Sequence, residues 1–391
     1  MSTTDTVATA AITLTDADLC PRPTHASTRG WPTGPGLPAD SGLFGLAEPA
    51  RQGGPRTVGD ATGGPGGRLP AEPREQSVIG GLLDPAGPRT ESVLLDGATG
   101  EVSTTFFFHD RPDPMDRRPL APSLPTLVRF AAVTDELAGL RGQFAAYAGR
   151  YGTKAVAEAS RQLLAVLEEG GDGEPAPFRR MAALIRPLAL VAGPGTASGL
   201  ALDLPLRLLD DEFGRGGVVR FEEVDFPATL THGPTRRFLR ETGLPEDGFL
   251  FQLDTDLPLH TLAEYYADAR ELPDALLPAR AGHLIRLGYL IEGNSLVVDG
   301  ATGAVLNWSE PDGVLHPLNT DVSTLAFTLW LLHREHAVDE ASGHALTSDA
   351  YDQLALTMIQ VLSSLDPTGT ATDADWHYWT ELFQDEAGGV L

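Results

Sequence analysis

Cysteine and lysine are almost missing from this 391-residue chain. Cys20 is the only thiol and Lys154 the only ε-amine. A single cysteine excludes an internal disulfide and any cysteine-based zinc site. The lone lysine reflects coding bias, since arginine supplies the remaining basic residues. No apolar run approaches the ~20 residues that span a bilayer. The segment from Met1 to Ala11 is polar and threonine-rich, with no basic stretch leading into an apolar one, so no secretory signal is read there. The expectation is a cytoplasmic protein with no membrane association.

Bases are also scarce, and unevenly so. The formal charge is −26. Residues 1–192 hold 22 acids and 18 bases, whereas residues 193–391 hold 32 acids and only 10 bases. Such a surface repels phosphate backbones, so nucleic acid is not an expected partner. It attracts a basic protein and speeds the encounter. General solubility is the competing explanation for the charge, but solubility does not call for one half to carry most of it.

What the chain has in abundance is itself, twice. Thr24 to Leu46 (THASTRGWPTGPGLPADSGLFGL) and Thr231 to Leu253 (THGPTRRFLRETGLPEDGFLFQL) agree at 11 of 23 positions without a gap. Average composition gives roughly one match in fifteen. Ser92 to Val102 (SVLLDGATGEV) and Ser295 to Val305 (SLVVDGATGAV) agree at seven of 11. Pro119-Leu120 and Thr126-Leu127 then align with Pro317-Leu318 and Thr324-Leu325. Repeats set architecture. The domain reading is therefore a tail at 1–11, one copy at 12–192, a linker at 193–217 and a second copy at 218–391.

Each copy reads as short strands followed by helices, which defines an α+β domain with a mixed or antiparallel sheet and C-terminal helices. In the second copy, Val218 to Phe221 and Phe249 to Leu253 read as strands. Pro234 to Thr242 reads as a helix stopped by Gly243. Leu296 to Val298 and Val305 to Trp308 flank a DGATG turn. Val322, Leu325, Leu329 and Leu332 stripe a helix from about Asp321 to His336, with Asn319 or Thr320 as its N-cap. Further helices are expected over Ser348 to Leu365 and Trp376 to Phe383. The first copy mirrors these over Thr126 to Ala148, Thr153 to Glu169 and Phe178 to Leu190. Leu259 to Leu272 adds a helix to the second copy. In its place the first copy carries a Gly/Pro-rich loop at 49–75, whose composition argues against a helix. Either that copy lost part of a working surface or it acquired a different one.

Catalytic signatures are weak. His333-Arg334-Glu335-His336 contains the H-x-E of nucleobase deaminases but lacks the two thiolates that chemistry needs. Its histidines stand at i, i+3, not the i, i+4 of a helical two-histidine metal site. Gly195-Thr196-Ala197-Ser198-Gly199 misses the spacing of a nucleophile elbow. There is no phosphate-cradling G-x-x-x-x-G-K, and Asp254-x-Asp256 lacks the rest of a calcium loop. The chain is expected to bind rather than catalyse, with no metal or cofactor. A hydrolase built from carboxylates that meet only in the fold stays as an alternative.

The second copy resembles the SUKH superfamily of bacterial immunity proteins, in its fourth subfamily. Thr235-Arg236-Arg237-Phe238-Leu239 with Gly243-Leu244-Pro245, Leu287-Gly288-Tyr289, Val298-Asp299 with Thr302-Gly303-Ala304-Val305, and Pro317-Leu318-Asn319-Thr320-Asp321 follow one another in order over about 120 residues. The first copy keeps Thr28-Arg29 and Gly36-Leu37-Pro38. It departs at Trp31-Pro32 and has Ala121 where the second has Asn319. The resemblance implies stoichiometric neutralisation of a polymorphic toxin, often a nuclease or nucleic-acid deaminase, whose basic cleft suits the acidic half. It also admits an intracellular scaffold or regulator with no toxin partner. Candidate partner contacts are Asp254, Asp256, Glu264, Tyr265, Tyr266 and Asp268, tyrosines in an acidic surface being suited to an interface. The competing reading is an exposed helix with both tyrosines packed inward. Trp308, Glu310, Asp312 and His316, on the loop leaving the hairpin, join them, with Trp308 either anchor or core. Asn319 completes the set, as a contact or a cap.

Overall fold

A computed structural model describes residues 11–13, 24–25, 28, 30, 35–38, 41–46, 53–61, 75–83, 91–105, 117–168, 176–248, 251–255, 257–269, 277–291, 293–341, 345–371 and 377–387. The chain divides into two units. One comprises residues 1–148 and 158–186; the other comprises residues 149–157 and 187–391.

In the first unit, β1 (Ala11–Ile12) pairs with β2 (Leu37–Pro38). The main sheet contains β3 (Phe44–Gly45), β4 (Arg56–Thr57), β5 (Ser77–Leu82), β6 (Ser92–Leu95), β7 (Val102–Thr105) and β8 (Arg118–Ala121). Its order is β3-β5-β6-β7-β8, with β4 also on β5, and each pair is antiparallel. Among the described residues, α1 (Val58–Ala61) lies between β4 and β5, and α2 (Leu124–Ala138), α3 (Thr153–Glu168, from Glu158 on in this unit) and α4 (Pro177–Ile185) follow the sheet. Ser123 caps α2, its hydroxyl accepting from Thr126 N at 3.3 Å. Phe44, Phe130 and Phe178, one each from sheet, α2 and α4, meet edge-on with ring centroids 5.8–6.3 Å apart and close the core.

The loop read as unable to hold a helix is corrected at one point. Val58–Ala61 makes a helical turn because Thr57 Oγ1 accepts from Asp60 N at 3.1 Å, and because Val58 is buried on Leu94 and Val78. A local cap and one buried side chain outweigh the surrounding composition.

In the second unit, β9 (Gly193–Pro194) pairs with β10 (Leu202–Asp203), and α5 (Leu208–Phe213) follows. The segment read as a linker therefore folds into this unit. Asp321 Oδ2 accepts from Ala201 N at 2.6 Å, and Glu212 accepts from Trp330 Nε1 and Arg334 Nη1, both at 3.2 Å. β11 (Val218–Val219) pairs with β12 (Leu244–Pro245) around α6 (Gly233–Glu241). Six antiparallel strands follow in chain order: β13 (Asp247–Gly248), β14 (Phe251–Leu253), β15 (Leu284–Leu290), β16 (Asn294–Asp299), β17 (Val305–Ser309) and β18 (Val314–Asn319). Helix α7 (Leu262–Ala269) interrupts the sheet between β14 and β15; α8 (Val322–Ala341), α9 (Ala345–Leu365) and α10 (Tyr378–Ala387) complete the unit. The expected stripe on α8 understates its burial. Ala326, Phe327, Trp330 and Leu331 are buried as well, so α8 is an interior helix with apolar side chains on several faces.

The two sheets share their register. Val78↔Leu94 in β5–β6 matches Arg286↔Val297 in β15–β16, and each pair is followed by a bulge, before Gly80 and before Gly288. A side chain on either glycine would strike the neighbouring strand, at Gly45 O or Gln252 O. The last pairs also agree, with Val102↔Ala121 and Val305↔Asn319 each beside a bulge. The DGATG turns close alike. Asp96 accepts from Ala98 N and Thr99 N, and Asp299 accepts from Ala301 N and Thr302 N. Gly100 and Gly303 stand at φ 82° and 80° beneath His25 and His232, a backbone form that excludes most side chains. Those histidines contact Thr28 and Thr235 at 2.9 and 2.8 Å. The repeated Thr-His-x-x-Thr is thus a clamp on the repeated turn.

Among the described residues, no helix is long and apolar enough to cross a membrane and no His, Cys, Asp or Glu cluster could hold a metal.

Candidate functional site

Helix α7 lies across one face of the second sheet. Thr261 and Glu264 form a reciprocal cap. Glu264 Oε2 accepts from Thr261 N and Oγ1 at 2.8 Å, and Thr261 Oγ1 accepts from Glu264 N at 3.2 Å. Those bonds hold the Glu264 carboxyl below its usual range. A depressed carboxyl contributes stability that is complete above the unfolded value and lost as pH falls through the folded one. Replacing Glu264 with glutamine is therefore expected to lower the melting temperature at pH 7. The difference should close as the pH drops below about 4, traced by thermal melts across pH.

Leu262 and Tyr266 enter the core with Ala281, Leu284, Val297 and Trp308. The Tyr266 hydroxyl donates to Glu310 Oε2 at 3.0 Å. Burial first, and the Glu310 carboxylate in addition, push its ionisation up. Tyr265 lies partly above this core, and its hydroxyl meets that of Tyr289 at 3.2 Å.

Arg286 organises the exposed side. It is only 1% exposed, and its guanidinium lies between Tyr265 and Tyr289, at 3.9 and 3.8 Å from their ring centroids. Asp254 pairs with it through Nη1, and Nε donates to Ser295 Oγ at 3.4 Å. Burying a charge is expensive unless it is paired. Two ring faces add about 0.5–2 kcal/mol each, more as water is excluded. Arg286 thereby fixes Tyr289, which remains 43% exposed and lies opposite the exposed Gln252 in register. The result is a rigid aromatic surface with Glu246, Asp247 and Glu264 exposed on the strand edge and helix start of the same unit.

The eleven candidates divide. Asp254 and Tyr265 come together around Arg286, and Glu264 sits in the cap of α7 one residue before Tyr265. Glu310 meets the set through Tyr266. Asp312 is exposed and accepts from Ser309 Oγ at 2.8 Å; His316 is half-buried on β18. Asp268 lies in the last turn of α7. Asp256 lies outside the described residues, as does Trp376.

Three candidates are corrected. Tyr266 and Trp308 face inward, Trp308 being 1% exposed, because α7 needs a large apolar surface beneath it. Asn319 neither touches solvent nor caps α8. It is buried, donating to Asp366 Oδ2 at 2.9 Å and to Thr328 Oγ1 at 3.1 Å, and accepting from Trp379 Nε1 at 2.9 Å. The cap is Asp321, whose carboxylate accepts from Ser323 N at 2.8 Å. Sequence reasoning missed Arg286 and Tyr289. The available signal was an arginine inside the apolar run Leu-Ile-Arg-Leu-Gly-Tyr-Leu of β15.

Residues 204–385 match the SUKH-4 immunity protein family. The match runs from just before α5 into α10, so it takes in the six-stranded sheet, α7 and the Arg286 clamp. It supports a SUKH superfamily domain in the second unit and an immunity role for it. No curated protein and no solved structure gave a significant match.

Proposed function

We propose that this chain is an immunity protein that binds and neutralises a basic toxin, using the α7 face of its second unit. The SUKH-4 match carries the reading, and the acid excess of the same half supports it. A nuclease or nucleic-acid deaminase presents a basic cleft for phosphate, and an acidic surface with fixed tyrosines complements such a cleft. Tyr289 and Tyr265 supply the apolar contact; the exposed carboxylates steer the approach. The shared strand register favours origin by tandem duplication, the first unit being a SUKH-like domain that has diverged. Val78 and Gly81 occupy the β5 positions that correspond to Arg286 and Tyr289, so the first unit lacks the clamp.

Co-expression with the product of the neighbouring gene tests the proposal, scored by cell survival and co-purification. Survival together with a stable complex is expected. Survival without a complex would argue against neutralisation by binding, and the absence of both survival and a complex would remove the immunity reading. Within the complex, Tyr289→Ala is expected to weaken binding by at least tenfold, about 1.4 kcal/mol, in calorimetry. The free protein should lose only the ring's contact with Arg286, about 0.5–2 kcal/mol, and stay folded, which a thermal melt of the variant checks.

A further inference from the structure

The first unit contains a cavity of about 460 Å³, within the roughly 300–1,000 Å³ range of small-molecule sites. Gln76, Asp96, Glu101, Ser103, Arg117 and Arg179 line it. Strand register identifies their counterparts in the second unit. Gln76 corresponds to Leu284, Ser103 to Leu306, Arg117 to Leu315 and Glu101 to Ala304. There the three leucines join the cluster around Trp308 beneath α7. The first unit has thus replaced an apolar seam with polar groups turned to one space. A patch that had merely lost its function would collapse or stay apolar; it would not put an amide, a carboxylate, a hydroxyl and a guanidinium in place of four apolar side chains beside the shared turn aspartate.

One of these groups indicates what it awaits. Gln76 is 4% exposed, and its Oε1 has no hydrogen-bond partner. The amide orientation is fixed by its other end, because Nε2 faces the Asp96 carboxylate at 3.5 Å. Asp96 stays ionised. Burial raises its carboxyl, but the N–H groups of Thr99 and Ala98 outweigh that and hold it low. The orphaned Oε1 is therefore an acceptor, and a buried acceptor without a donor carries a desolvation cost that no bond offsets. A ligand donor beside Gln76, Asp96 and Glu101 would recover that cost. Arg117, exposed at the rim, offers the opposite chemistry, a guanidinium fork suited to a carboxylate, and the charge of the Arg179 guanidinium adds to its pull.

We propose that this cavity binds a small zwitterion of the amino-acid class. Its ammonium lies toward Gln76, Asp96 and Glu101, and its carboxylate toward Arg117 and Arg179. The first unit is then a ligand-binding counterpart to the partner-binding second unit. This inference stands apart from the toxin reading, since it uses only residues of the first unit.

The test is calorimetry of the full chain against the twenty common L-amino acids. Each binder is followed by its N-acetyl and carboxamide derivatives. At least one amino acid is expected to bind with a Kd below about 1 mM, and each blocked derivative about tenfold more weakly. Arg117→Leu and Gln76→Leu, which install the second unit's side chains, should each weaken binding about tenfold. Arg117 is exposed, so its variant should fold even if the buried Gln76→Leu does not. Absence of binding by all twenty would overturn the proposal. So would equal binding of the blocked derivatives, or full affinity in a folded Arg117→Leu.

Discussion

Replacing Asp254 with alanine is expected to cost the second unit ~3–5 kcal/mol of unfolding free energy, the typical penalty for stranding a buried charge. Arg286 is the reason. It stays in the sheet between two rings, with its Nη1 partner gone and little water to replace it. Arg286→Met with Asp254→Ala should recover much of the loss, because the methionine fills the slot between Tyr265 and Tyr289 without a charge. The double variant is more informative than either single change. Recovery of stability without recovery of partner binding would identify the clamp as a device for orienting Tyr289. Chemical denaturation of the three variants reads out the energies. A loss below about 1 kcal/mol for Asp254→Ala would show that the guanidinium is not confined as described.

Asn319→Ala should have a comparable effect, ~3–4 kcal/mol, for a different reason. Its side chain joins three elements: Thr328 on α8, Asp366 at the end of α9 and Trp379 on α10. Truncation leaves the buried indole N–H without its acceptor and takes a donor from the Asp366 carboxylate, at ~1–3 kcal/mol for each such group. Asp366 keeps Thr320 N, Thr320 Oγ1 and Thr368 N, at 3.1, 2.7 and 3.2 Å. The C-terminal helices should therefore loosen before the sheet does. Hydrogen exchange would show early loss of protection in α9 and α10. Uniform loss across β14–β17 instead would mean that the network does not tie those helices specifically. The first unit has Ala121 at the corresponding strand position, so Ala121→Gly there should cost much less.

The fold was readable where local chemistry repeats. DGATG was read as a turn in both copies and forms the same turn twice, and Gly243 ends a helix as its position implied; the Thr-His-x-x-Thr clamp on that turn was visible only as a repeat. The helices of the second half followed from apolar spacing and from breaks at Gly243 and Asp366-Pro367. What stayed hidden depended on distant partners. Nothing around Arg286 says that Asp254, 32 residues earlier, returns to it. Asn319 looked like a cap because it precedes a helix, but Asp321 performs that role. Val58 forms a helical turn inside Gly- and Pro-rich sequence because Leu94 and Val78 wait beneath it. The 193–217 stretch read as a linker from its glycines, yet the N–H groups of Ala201 and Leu202 are taken up by Asp321 and Ser323. Of the candidate site, the acidic and tyrosine content of α7 was visible. Which tyrosine faces outward was not, because Tyr265 and Tyr266 are adjacent and only the sheet beneath decides between them.

Hydrogen–deuterium exchange of the full chain, with and without the neighbouring gene's product, tests the central claim most directly. The account predicts slowed exchange in residues 251–269 and 284–290 on complex formation, with the first unit's strands unchanged. Protection confined to the first unit, or none in α7 and β15 despite a stable complex, would contradict it.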